Sequence, residues 1–200
     1  MPNYWFTSDL HLDHEKIIVY ANRPFKNAAG EPDVDLMNKT LIDNWNAVVK
    51  TDDVIYILGD ISCSSTPEKV EKHLCDLSGR KILIFGNHDK RIRKDGRVMR
   101  HFEWTSDFAE VKIAPDPAAP QRTQHIVLCH YAMRVWNKSH HGSWQLYGHS
   151  HGNLPDDPHA RSMDVGVDNW DFKPVSFEQV REHMNKKIWK PVDHHTGERY

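Results

Sequence analysis

The apolar residues of the chain fall into short runs that end in polar residues, a pattern typical of strands that lead into loops. The clearest runs, DVIYILGD at residues 53–60 and KILIFGNH at residues 81–88, are almost continuously apolar. Continuous runs favour strands that are covered on both faces of a sheet. Further strands are predicted at residues 3–9, 125–130 and 144–151, with a weaker, alternating candidate at residues 162–168.

Two helices are predicted between these strands. Residues 35–50 carry an apolar side chain at every third or fourth position, which is the period of one helix face. A second helix is expected after Thr66, because Thr is a good N-cap residue and Pro67 suits the first helical position. Gly79 is expected to end this segment.

The last predicted helix begins at Ser176. Ser176 and Gln179 have the spacing of a capping box, and the helix is expected to continue through Trp189. The proline-rich residues 115–121 are expected to form a surface loop. Strands alternate with helices early in the chain and follow one another later, an order that favours an α/β fold with a mixed sheet.

Composition narrows the class of protein. The 200 residues suit a single domain over residues 1–200, and the net charge of -2 favours neither a nucleic-acid coat nor an acidic disordered tail. Cys63, Cys75 and Cys129 have no CxxC spacing and cannot all pair within the chain, which favours a reducing compartment. Because the N-terminus has neither a basic leader nor an apolar signal core, we expect a soluble cytoplasmic protein without a membrane partner.

The 15 histidines are the unusual part of the composition, since histidine is the commonest metal ligand. Several follow predicted strands, together with carboxylates and one amide. Ligands gather at the carboxyl ends of strands in open α/β sheets, so these side chains are expected to lie together. Turn formation could explain one such strand end, but not all five. The candidate metal ligands are Asp9, His11, Asp60, Asn87, His130, His149 and His151.

The spacing of these candidates indicates one shared site. Asp9 and His11 lie two residues apart, as do His149 and His151, and the strand period of two directs both members of a pair to one side. Seven ligands exceed the four that one zinc ion usually takes, so the set suits two divalent ions that share a carboxylate. Nitrogen and oxygen ligands suit Mn²⁺, Fe, Co, Ni or Zn²⁺, and intrinsic affinity does not single one out. Mn²⁺ is taken as the first choice.

Five short motifs follow one another along the chain: SDLH, GD, GNHD, a lone His and GHSH. In this order they resemble the motifs of calcineurin-like metallophosphoesterases, and they span residues 9–151, most of the chain. The segments FTSDLHLDHEKII, NRPF and DVGVDNWDFKPVS are similar to the short bacterial and phage members. The resemblance implies a four-layer αββα sandwich with mixed β-sheets and with the metal ions at its rim.

The resemblance also implies how the ligands are divided between two metal ions. One ion would be held by Asp9, His11 and His151. The other would be held by Asn87, His130 and His149, with Asp60 bridging the two ions. The spacing of residues alone does not separate the roles of His149 and His151.

Residues beside the ligands are candidates for catalysis and substrate binding. In a protein of this kind His88 is expected to stabilise the charge at phosphorus or to protonate the leaving group, and Asp89 is expected to orient His88. Asn87 is expected to contact the substrate as well as a metal ion, and Arg23 could reach the substrate phosphate with its planar guanidinium. The alternatives are structural turn residues for His88 and Asp89 and a surface ion pair for Arg23.

The segment 90–100 carries six Lys or Arg residues directly after the GNHD motif. It could be the solvated face of a helix, or it could guide a polyanionic substrate such as a nucleotide or a nucleic-acid end. Asp13 and His14 are expected to be turn residues. His140 and His141 could line the mouth of a pocket, although such a pair is more often part of a solvated loop.

The expected function is hydrolysis of a phosphodiester by metal-activated water, with a nucleotide or a nucleic-acid fragment as the favoured substrate. After Gly59 and Asp60 the chain lacks the arginine-bearing extension of the family's protein-phosphatase branch, which disfavours a protein substrate. Three alternatives stay open: a phosphomonoesterase that acts on a small metabolite, a catalytically silent scaffold of the same fold, and a structural zinc protein. The complete and oxygen-rich ligand set disfavours the last two.

Overall fold

Strands and helices alternate through the part of the chain that the computed structural model describes, which comprises residues 2–64, 66–114, 123–190 and 192. The strands are β1 (Tyr4–Thr7), β2 (Val54–Ile57), β3 (Arg80–Ile84), β4 (Phe102–Ser106), β5 (Ala109–Ile113), β6 (Gln124–Leu128), β7 (Trp144–Tyr147), β8 (Ser162–Asp164) and β9 (Val175–Ser176). The α-helices are α1 (Glu15–Tyr20), α2 (Val34–Val48), α3 (Pro67–Asp76), α4 (Gly96–Met99) and α5 (Phe177–Asn185).

The strands form two mixed sheets. The first has the order β4-β3-β2-β1-β9, in which β9 alone is antiparallel to its neighbour. The second has the order β5-β6-β7-β8, in which β5 is antiparallel to β6 and the other pairs are parallel. Two mixed sheets with helices packed around them confirm the predicted α/β sandwich. In the described residues no helix is long and apolar enough to cross a membrane.

Two hydrophobic cores lie on opposite faces of the first sheet, and β2 contributes to both because its side chains alternate between faces. Ile55 and Ile57 belong to the core that includes the apolar faces of α2 and α3. Val54 and Tyr56 belong to the core that includes β6, β7 and α5. Burial on both faces explains the continuous apolar run of this strand.

The predicted elements are present, with differences at their ends. Helix α2 begins one residue earlier than predicted, after Asp33, whose side chain accepts a hydrogen bond from the Leu36 N–H at 2.9 Å. Thr66 occupies the N-cap position of α3 without a side-chain cap hydrogen bond, and Gly79 lies three residues beyond the end of that helix. The proline-rich residues 115–121 lie outside the described part of the chain.

The prediction that the last helix continues through Trp189 is wrong, because α5 ends at Asn185. The capping box of Ser176 and Gln179 is present at its start. After the helix, the Ile188 N–H donates to the Pro158 carbonyl at 2.8 Å, and the next pairing joins residue 190 to residue 159. The chain therefore leaves the helix to pair with another loop, which a helical period cannot reveal.

Candidate metal centre

The candidate ligands lie in the loops that leave β1, β2, β3, β6 and β7, at the carboxyl ends of these strands. Parallel strands bring these ends to one edge of each sheet, and a parallel bridge between Ser8 and Gly166 joins the two edges. Across the same edge the Asp9 N–H donates to the Gly59 carbonyl at 3.0 Å. The expectation that the five polar strand ends lie together agrees with this arrangement.

One group of ligand types consists of Asp9, His11 and His151, whose ligand atoms lie within 4.8 Å of one another. Asp9 Oδ1 is 3.9 Å from His11 Nε2 and 4.0 Å from His151 Nε2. Among the described residues, Asp9 Oδ1 and His11 Nε2 are buried without a hydrogen-bond partner. Such an atom costs about 1–3 kcal/mol, and a divalent cation between the two would satisfy both. The residues therefore fit a metal ion.

A second group consists of Asp60, His130 and His149. Asn87 joins it, since its Oδ1 lies 3.1 Å from His130 Nε2. The Asp60 Oδ2 atom is 3.5 Å from His130 Nε2 and also 3.5 Å from His11 Nε2 in the first group. The Asp60 carboxylate thus lies between the two groups. Their composition matches the division that the family resemblance implies, and the division itself stays a prediction.

Five of the candidate ligands have a left-handed backbone conformation, which explains how short loops turn their side chains inward. The φ angles are 59° for Asp9, 51° for His11, 56° for Asp60, 69° for His149 and 47° for His151. Non-glycine residues adopt this conformation at a cost of about 1–2 kcal/mol each. The strand period does not explain these directions, because the residues follow the strands. Asp9 and His11 enter one group as predicted, whereas His149 and His151 enter different groups.

Two motif glycines allow the strand ends to approach one another. A Cβ atom at Gly86 would lie 2.2 Å from Asp60 Oδ1 and 2.7 Å from the Asp60 backbone nitrogen. A Cβ atom at Gly148 would lie 2.0 Å from Ser8 Oγ and 2.4 Å from Asp9 Oδ2. Any side chain at either position would push a candidate ligand out of place, so the glycines in GNHD and GHSH have a steric role.

The pKa values of three buried candidate ligands are shifted, and the shifts bear on whether each side chain can bind a cation. Burial lowers the pKa of His11 to about 2, so its imidazole is neutral and offers a lone pair. Burial raises the pKa of Asp9 to about 6, a direction that an adjacent cation would reverse. Burial alone would also raise the pKa of Asp60, but hydrogen bonding to His130 and the charge of that imidazole outweigh it and lower the pKa to about 2.

A family model described as calcineurin-like phosphoesterase matches residues 2–191, nearly the whole chain. The chain belongs to the calcineurin-like phosphoesterase family. Membership confirms the resemblance that its five motifs carry. Together with the two ligand groups, it supports a metal-dependent phosphoesterase.

The relatives of this calcineurin-like phosphoesterase include short archaeal and phage proteins. It is 32% identical over 192 residues to an uncharacterized protein of Methanocaldococcus jannaschii, an alignment that covers 93% of each chain. It is 32% identical over 206 residues to the gene 66 protein of Mycobacterium phage L5, with 92% of this chain and 95% of the phage protein covered. A crystal structure of a protein of unknown function from Aquifex aeolicus has a TM-score of 0.64 at 20% identity, covering 92% of this chain and 100% of that one, and supports the fold.

Within this calcineurin-like phosphoesterase, Arg23 is buried below the ligand loops and not exposed to a substrate. Its Nε and Nη2 atoms donate to the two Asp168 carboxylate oxygens at 2.8 and 2.9 Å. Nη2 also donates to the Asp9 carbonyl at 2.7 Å, and Nη1 to the Leu10 carbonyl at 3.0 Å and the Met37 sulfur at 3.5 Å. These five contacts use every guanidinium N–H, so the structure contradicts the predicted contact with a substrate phosphate.

Asp168 connects Arg23 to the first ligand group. His151 Nδ1 lies 2.7 Å from Asp168 Oδ2, which leaves His151 Nε2 directed at Asp9. A carboxylate that accepts the outer N–H of an imidazole fixes the ring and raises its basicity as a ligand. Sequence reasoning missed the role of Asp168, because no local pattern joins this residue to His151, which lies 17 positions before it.

Replacing Arg23 by Ala is expected to lower the free energy of unfolding by about 3–5 kcal/mol, since it leaves the Asp168 charge buried without its partner. The measurement is denaturant unfolding of the metal-free protein. The matched control is Arg93→Ala, which removes an exposed pair with Asp107 and should cost no more than about 1 kcal/mol. A raised KM with an unchanged free energy of unfolding would instead show that Arg23 binds the substrate.

Asp89 does not orient the His88 ring, contrary to the prediction. Its buried carboxylate accepts hydrogen bonds from the N–H groups of Gly86, Asp60 and Ile61 at 2.7, 2.9 and 3.1 Å. It therefore holds the loop after β3 against the loop that carries Asp60, and acts as a positioning residue. The exposed His88 donates its backbone N–H to Asp60 Oδ1 at 2.8 Å.

Sequence reasoning also missed two side chains beside the first ligand group. His14, which was expected to be a turn residue, has Nδ1 3.3 Å from His11 Nδ1. Cys63 Sγ lies 3.6 Å from His11 Nδ1 and 3.7 Å from His88 Nδ1. The closeness of His14 to the SDLH motif was the available signal. His140 and His141 form part of the 3-10 helix Ser139–His141 and belong to neither ligand group.

Proposed function

We propose that this protein hydrolyses a phosphodiester at a dinuclear centre of divalent ions, with Mn²⁺ as the first choice and a nucleotide-like molecule as substrate. The observation that carries the proposal is the position of Asp60 Oδ2, which is equally distant from an imidazole of each ligand group. A shared carboxylate offsets the repulsion between two cations. The other candidate ions are Fe, Zn²⁺, Co and Ni.

The bound ions would polarise the phosphoryl oxygens and lower the pKa of the attacking water. The chain's own residues would hold the reacting groups around them. His151, supported by Asp168, and His130, whose Nδ1 lies 2.6 Å from the Leu58 carbonyl, keep fixed ring orientations. Asn87 adds a neutral oxygen that can face an ion or the substrate.

His88 is our candidate for the residue that acts on the leaving group. It belongs to neither ligand group, it is exposed, and its ring centroid lies 5.2 Å from that of His11. A positioned imidazolium can donate a proton to the departing oxygen, a step that contributes about 10²–10⁴-fold to the rate. His88 also lines a cavity of about 310 Å³, which leaves room for the leaving group beside the ligand groups.

The test is the hydrolysis of bis(p-nitrophenyl) phosphate beside p-nitrophenyl phosphate, by protein that is stripped of metal and then titrated with Mn²⁺. We expect metal-dependent turnover of both esters, with a higher kcat/KM for the diester. A higher value for the monoester would favour the phosphomonoesterase instead. Bound metal without turnover of either ester would favour a catalytically silent scaffold.

A further inference from the structure

We propose that the cavity beside His88 binds a second phosphate group of the substrate through Lys90 and Arg91. The proposal rests on the proposed function, because it takes the scissile phosphate to lie at the ligand groups. It narrows the substrate to molecules that carry a further phosphate on the leaving-group side. Phosphorylated oligonucleotide ends have this chemistry.

Three of the six cations of the basic segment 90–100 are neutralised within the protein. Arg93 forms an ion pair with Asp107 at 2.7 Å. Arg97 pairs with Asp95 at 2.9 Å and also with Glu68, and Arg100 pairs with Glu71. These pairs join the segment to neighbouring elements and leave little net charge for a ligand.

Of the other three cations, Lys90 and Arg91 line the cavity and Lys94 does not. Both side chains are exposed and both line the cavity that His88 and Asn87 also line. Neither has a carboxylate within ion-pair distance among the described residues, in contrast to the three paired arginines. The adjacent Asp89 does not neutralise them, since its carboxylate is buried and accepts three backbone N–H groups. Two uncompensated cations therefore face an open cavity at the edge of the reaction site.

The chemistry and size of the cavity fit a phosphate on a sugar-sized group. Arg can bind phosphate oxygens through two parallel N–H groups, and Lys adds a flexible point charge. The volume of about 310 Å³ lies at the lower end of the range for small-molecule sites, so one nucleotide unit fits better than an extended strand. Because His88 forms part of the wall, the second phosphate would lie on the side of the leaving group.

The experiment compares kcat/KM for the thymidine dinucleotide TpT with that for pTpTp, which carries a phosphate at each end. The Mn²⁺-loaded protein should prefer pTpTp by about 10–100-fold, the size expected for charge-assisted hydrogen bonds. In the double variant Lys90→Ala/Arg91→Ala this ratio should fall to about 1, mainly through KM. The matched control, Arg97→Ala/Arg100→Ala, removes the same net charge from ion-paired positions and should retain the ratio.

The outcomes separate the second phosphate site from the proposed function. Equal kcat/KM for TpT and pTpTp in the unmodified protein would overturn the phosphate site and leave the phosphodiesterase standing. A preference that the control variant loses as fully as Lys90→Ala/Arg91→Ala would reduce the effect to net charge and overturn the site. Hydrolysis of neither dinucleotide would overturn the proposed function, and the site with it.

Discussion

Replacing His88 by Ala is expected to lower kcat by about 10²–10⁴-fold and to leave the metal content unchanged. The side chain is exposed and lies outside both ligand groups, so in the proposed mechanism its loss removes a proton donor without removing a ligand. The backbone N–H that donates to Asp60 Oδ1 at 2.8 Å is retained in the variant. Kinetics on bis(p-nitrophenyl) phosphate and elemental analysis of the same sample measure the two effects.

His141→Ala is the matched control for this variant. His141 is also exposed, but it lies in the 3-10 helix Ser139–His141 and in neither ligand group, so its loss should not change kcat. Full activity of His88→Ala would remove His88 from the mechanism. A parallel loss of metal and activity would show that His88 is needed for metal binding, and its proposed role as a proton donor would then be wrong.

The candidate ligands could be found from the sequence because two simple patterns coincide in them. Buried parallel strands are continuous apolar runs, and they bring their carboxyl ends to one edge. Histidine, aspartate and asparagine directly after such runs therefore indicate a common site. Asp60 and His130 illustrate the point, since they lie 70 positions apart in the sequence and their side chains approach to 3.5 Å.

The supporting residues could not be found in this way, because their roles depend on contacts between distant segments. Arg23 looks like a phosphate ligand until its pairing with Asp168, 145 residues away, is known. Asp89 looks like the partner of His88 until the backbone conformation aims its carboxylate at three N–H groups. Local patterns record which chemical group is present, whereas the fold decides what that group faces.

Strands β4, β5 and β9 are not among the predicted strands, for a related reason. In β4 the two residues after Phe102 are exposed, and in β5 exposed residues alternate with half-buried ones, so neither is a long apolar run. Strand β9 has only two residues and exists through its pairing with β1. Strands at or near the edge of a sheet lack the double-sided burial that makes a central strand visible in the sequence.

The left-handed backbone conformation of five candidate ligands requires well-packed surroundings. Five such residues would together cost several kcal/mol, and only a well-packed environment keeps them in place. Here that environment includes the motif glycines, the carboxylate of Asp89 and the buried pair of Arg23 with Asp168. The backbone conformation of a short motif such as GD thus depends on residues that lie outside it.

If the proposed dinuclear centre is right, replacing Asp60 by Ala should lower the metal content from about two ions per chain to one or fewer, with loss of activity. The Asp60 carboxylate is the only side chain among the described residues that approaches an imidazole of both ligand groups to 3.5 Å. Without it, two cations would face each other with less negative charge between them. Elemental analysis after removal of free metal measures the content, and Asp43→Ala, which alters an exposed pair with Lys39, is the control.

The variant Asp60→Asn separates the charge of this side chain from its hydrogen bond. The amide keeps an oxygen that can accept the His88 N–H, which Asp60 Oδ1 accepts at 2.8 Å, but it carries no negative charge. If the carboxylate bridges two ions, Asp60→Asn should lose metal almost as fully as Asp60→Ala, because the charge is what both ions share. Full occupancy of both ions in Asp60→Asn would show that the charge is not shared, and the bridging role would then be wrong.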